Sequence, residues 1–143
     1  MFTECIEILT VGLPFCAFKI ITGLFFNQFW LIILGGIDLS INLGNLLSLF
    51  IRKKRLMDAC LFSFITRSLK KSYPQSATKW QDLGNSIDVV VSFTIVALMI
   101  GGGYLKDLPE LQLKIWNLSV ILNVFGAGYG RISNSINNLK AKT

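Results

Sequence analysis

The run Phe29 to Ile51, FWLIILGGIDLSINLGNLLSLFI, followed at once by Arg52-Lys53-Lys54-Arg55, limits what this chain can fold into more than any other stretch. As a helix it is about 34 Å long, enough to cross a bilayer's hydrocarbon core with some tilt. Its polar residues are sorted by face. Turning about 100° per residue, Asp38, Asn42 and Asn45 fall on one side, and Gly36, Ser40 and Gly44 form a stripe on another. A carboxylate at mid-membrane costs at least about 2.5 kcal/mol, so Asp38 is expected to face protein or water rather than lipid.

Composition agrees with a membrane chain. Of 143 residues, 52% are hydrophobic and 15% charged, and the mean hydropathy is +0.59; ordinary soluble domains carry about 25% charged residues. The net charge of +6 is concentrated, since eight of the fourteen cations lie between Arg52 and Lys79. That is the positive-inside pattern of a cytoplasmic loop, placed to touch anionic lipid headgroups. No recognition module accompanies the basic run, so nucleic acid is not an expected partner. The chain has no histidine, which excludes imidazole-held haem, zinc sites built on histidine and any Ser-His or Cys-His nucleophile. Cys5, Cys16 and Cys60 lack metal-ligand spacing and read as reduced packing residues. No cofactor, metal or catalytic set is expected. The N-terminus, MFTECIEIL, lacks the basic region of a secretory signal and reads as retained.

The remaining segments give an all-α membrane protein, a single domain over 1–143. A first span at about 6–26 contains Pro14, where a kink is expected, and Lys19. Only Asn27-Gln28 separates it from the span 29–51, which demands a tight antiparallel hairpin. Counted from that turn, Lys19 lies roughly 13 Å down one leg and Asp38 roughly 16 Å down the other, a difference a lysine side chain covers. An intramembrane ion pair is expected. Residues 56–72 carry Met57, Cys60, Leu61, Phe64, Ile65 and Leu69 on one face, the profile of a short amphipathic interfacial helix ended by Pro74. Spans at about 87–105 and 111–129, joined by the short loop KDLPE, form a second hairpin. Both termini and the 52–86 loop then lie on the cytoplasmic side.

On the last span, Ser119, Asn123, Gly126 and Gly130 share a stripe, with a GxxxG spacing suited to close helix contact. Asp88 and Arg131 are expected to pair near the inner surface. Leu34-Gly35-Gly36-Ile37-Asp38 resembles Leu83-Gly84-Asn85-Ser86-Ile87-Asp88, but the first lies mid-span and the second at an inner edge, so the likeness reads as coincidence. Lys19, Asp38, Asn42, Asn123, Asn45 and Asp88 line up as a polar track through the bundle. Two functions fit. The first is an interaction or assembly subunit, docking through its small-residue stripes onto copies of itself or a membrane partner. The alternative is a small cation or proton channel or transporter using the Asp38, Asn42 and Asn45 face.

Overall fold

A computed structural model describes residues 2–55, 60–61, 65 and 77–140, with no strand among them. The first rod, Phe2–Phe25, is made of α1 (Phe2–Glu7), a π-helical turn (Ile8–Gly12) and α2 (Leu13–Phe25). Pro14 is the cause of the widened turn. It brings no N–H, and its ring crowds the carbonyl four residues back, that of Thr10, so the kink expected there takes the form of a π turn just before the proline.

The chain reverses at 26–28. Asn27 takes the left-handed conformation at φ 55°, and the Gln28 N–H returns to the Gly23 carbonyl at 2.8 Å, a Schellman closure with asparagine in the glycine position. A Cβ on Gly23 would lie 3.0 Å from the Ile32 backbone nitrogen, so only glycine allows this turn to close. Next comes α3 (Phe29–Arg52), capped by Lys53 in the left-handed region, where the Ser48 hydroxyl donates to the Lys54 carbonyl at 2.8 Å. α4 (Ala77–Gly101) begins well before the apolar run at Ile87. The glycine triplet unwinds it: Gly103 has a φ of 69°, and a 3-10 turn (Tyr104–Asp107) leads into α5 (Glu110–Lys140).

Three rods, Phe2–Phe25, Phe29–Arg52 and Leu83–Gly101, are long and apolar enough to cross a membrane. The segment 111–129 lies within α5, where Gln112, Lys114, Asn117 and Asn123 dilute its apolar character. Most of the expected interfacial helix, 56–72, lies outside the described residues. Of its described members, Cys60 is buried, Leu61 is half-buried with its N–H on Asp38, as set out below, and Ile65 is exposed.

α2 is the hub, packing against α3, α4 and α5 alike. Its Phe15, Phe18 and Ile21 meet Leu31, Ile95, Met99, Leu108 and Trp116 in one apolar core, with Phe18 and Trp116 ring centres 4.7 Å apart. The outside is apolar too. Ile33, Leu47, Phe50, Val90, Leu98, Leu118 and Phe125 are all exposed, an exterior suited to acyl chains rather than water.

Candidate ion-binding site

The site is assembled around Lys19, which is wholly buried on α2. Its Nζ donates to Asp38 Oδ2 on α3 at 2.6 Å and to Asp88 Oδ1 on α4. Glycine makes the first approach possible: a Cβ on Gly35 would sit 3.0 Å from Lys19 Cβ and 3.1 Å from the Cys16 carbonyl. The residue three before Asp38 is thus what lets α3 close on α2. Gly84, four before Asp88, is buried as well. The two look-alike segments deliver their aspartates to the same ammonium, so Asp88 does not lie at an inner edge apart from Asp38. The reason is depth. Because α4 starts at Ala77, Asp88 lies mid-helix rather than at an inner edge. Asp88 pairs with Lys19; the side chain of Arg131, its expected partner, lies outside the described residues.

The two carboxylates have different surroundings. Asp38 is sealed, its side chain 2% exposed, with Oδ2 on Lys19 and Oδ1 accepting the backbone N–H of Leu61 at 2.7 Å. Sequence reasoning missed this contact, because nothing in the amphipathic pattern of 56–72 signals a backbone N–H returning to the bundle's interior. Asp88 is 11% exposed and, among the described residues, bonds Lys19 alone. With all three groups charged the cluster carries one surplus negative charge, since two carboxylates face one ammonium.

A cavity of about 130 Å³ leads to this cluster, room for several waters. Its floor is Lys19, Asp38 and Asp88, its walls include Gly12, Cys16, Asn42, Cys60 and Asn85, and its mouth is Glu7 and Arg55. Arg55 ties the basic cluster to the first rod by bonding the Glu7 carboxylate and, at 3.4 Å, the Glu4 carbonyl. Asn42 donates to the Asp38 carbonyl at 2.8 Å, and its amide lies so close to Gly12 that any side chain there would collide with it. The cluster adjoins the apolar core that includes Phe18, Ile95, Met99 and Trp116.

Other members of the expected track lie elsewhere. Asn45 is buried on α3 but does not line the cavity. Asn123 turns away from it and donates to the Thr10 carbonyl at 3.3 Å. On the α5 stripe, Ser119 is buried and Gly126 packs on Thr10 of the same chain, a Cβ there falling 2.7 Å from Thr10 Cβ, whereas Gly130 has open space beside it. Gly36 and Gly44 also have open space, and Ser40 between them is exposed, its hydroxyl turned back to the Gly36 carbonyl at 2.9 Å. Among the described residues no group of three or more Cys, Asp and Glu side chains is arranged to hold a metal ion. No family model, curated protein or solved structure matches this chain.

Proposed function

We propose that this is a small multi-pass membrane protein that takes up a small cation or a proton at the Lys19, Asp38 and Asp88 cluster and carries that charge toward the other face of the membrane. In this reading the Phe2–Phe25 rod, α3, α4 and α5 make four spans in two hairpins. The basic cluster, both termini and the cavity mouth lie on the cytoplasmic side, following the positive-inside rule, with the 52–79 loop against anionic headgroups. The observation that carries the proposal is a cavity lined in part by a buried cluster with one surplus negative charge. Ionisable groups at membrane depth are expensive and mark ion or proton paths. The cluster adjoins the apolar core of Phe18, Ile95, Met99 and Trp116, as the closed side of a carrier would. The test is flux into proteoliposomes of the purified chain under separate proton, sodium and potassium gradients. Flux above empty vesicles supports the proposal; none, from protein that is monodisperse and helical, overturns it.

A second reading has its own support. Gly36, Ser40 and Gly44 present small residues with open space on the outside of α3, beside exposed Ile37, Leu43 and Leu47. Such a face suits close helix packing against a second copy or a larger membrane complex. Gly36→Leu and Gly44→Leu would then reduce the oligomer's mass in mild detergent, and an unchanged mass would count against this use of the stripe.

A further inference from the structure

We infer that Asp88, and not Asp38, is the group that takes up the charge, and that the charge is a proton. This rests on the uptake reading above and names its ligand and acceptor. Asp38 lines the same cavity, but both its oxygens are engaged, one by Lys19 and one by the Leu61 N–H. Asp88 lines the cavity too, with one oxygen on Lys19 and its side chain 11% exposed against 2% for Asp38. The charged and titratable groups that face it are Lys19 from α2 and Asp38 from α3, with Cys16 and Cys60 on the walls and Glu7 and Arg55 at the mouth. A metal cation stripped of water asks for several converging oxygens, and the described residues bring no three Cys, Asp or Glu side chains together to hold one. A proton asks for one lone pair.

The step balances simply. A hydronium ion in the cavity gives its proton to the outer oxygen of Asp88, leaving one water and one neutral carboxylic acid, and the cluster's charge rises from minus one to zero. Lys19 then has one ionised partner, Asp38, instead of two. The charged tie between α2 and α4 is weakened while that between α2 and α3 is kept, so protonation acts selectively on the α4 side of the hub.

Infrared difference spectroscopy on the full chain in lipid, taken between neutral and acidic pH, reads the protonation directly and needs no transport. The carbonyl band of a newly formed buried carboxylic acid is expected in the wild type, is expected to need lower pH in Asp38→Asn, where Lys19 and Asp88 balance each other, and is expected to vanish in Asp88→Asn. Asp88→Glu, which keeps a titrating group, is expected to retain the band at a shifted frequency, and it serves as the reading if Asp88→Asn does not fold. A band that survives Asp88→Asn, or whose frequency does not move in Asp88→Glu, overturns the assignment. In proteoliposomes, Asp88→Asn is expected to lose proton flux to the level of empty vesicles, and flux that follows sodium or potassium but not pH overturns the proton. The band without any flux would retain Asp88 as the acceptor and defeat the transport reading alone.

Discussion

Asn123 donates its side-chain amide to the carbonyl of Thr10, the acceptor that Pro14 is unable to serve. A backbone carbonyl without a partner is costly where no water can reach it, and α5 supplies the missing donor from across the helix contact, where Gly126 lets it come close. Asn123→Leu should therefore destabilise the chain by roughly 0.6–1.7 kcal/mol, the range for interhelical hydrogen bonds in membranes, in denaturant titrations of the micelle-embedded protein. In a Pro14→Ala background, where residue 14 has an N–H of its own, the same change should cost much less. Equal costs in the two backgrounds would show that the amide does not answer the proline.

Lys19 neutralises two carboxylates at once. Lys19→Met should destabilise by about 3–5 kcal/mol, because removing one partner strands buried charge. Adding Asp38→Asn and Asp88→Asn to it should restore much of the loss, since the stranded charge is then gone. A triple variant no more stable than the single one would mean that the lysine's stem packing, not its charge, is what matters.

The adjacent glycines at 35 and 36 should respond oppositely. Gly35→Ala meets the Cys16 carbonyl and the Lys19 stem and should cost about 1–3 kcal/mol by overpacking. Gly36→Ala enters open space and should stay within about 0.5 kcal/mol of the wild type. Comparable losses at both positions would contradict the close approach of α3 at Gly35.

Arg55 and Glu7 form a half-exposed pair at the cavity mouth. Such pairs contribute about 0–1 kcal/mol, so Arg55→Ala should barely change stability. It should instead speed the reaction of Cys16 with a small thiol reagent in a Cys5→Ser, Cys60→Ser background. An unaltered labelling rate would remove Arg55 from any part in controlling entry.

Much of this arrangement could be read along the chain, and the failures have physical causes. The juxtaposition of Lys19 and Asp38 followed from helical rise, because a two-residue connection leaves no freedom in how the legs align. Asp88 was misplaced because a span's start was counted from its first apolar residue. A helix can continue past that point, and α4 does so from Ala77. That one miscount also hid the relation between the two aspartate segments. Asn123 was assigned to the track by depth alone. The stronger demand came from Thr10, four residues before Pro14, and that spacing was visible in the sequence. The return of Cys60 and Leu61 to the bundle had no comparable signal, because a backbone N–H is the same at every residue.

The π turn at Ile8–Gly12 has a consequence for the entrance to the bundle. A π turn holds one more residue than the α turn it replaces, so everything ahead of it is rotated by about one residue's step, near 100°. Glu4 and Glu7 owe their bearing toward Arg55 to that added step. Deleting a single residue within Ile8–Gly12 would bring the rod back into plain α register and swing both acids around its circumference, away from the guanidinium, while leaving the sequence from Leu13 onward untouched. The orientation of the doorway is therefore encoded by residue count rather than by residue type.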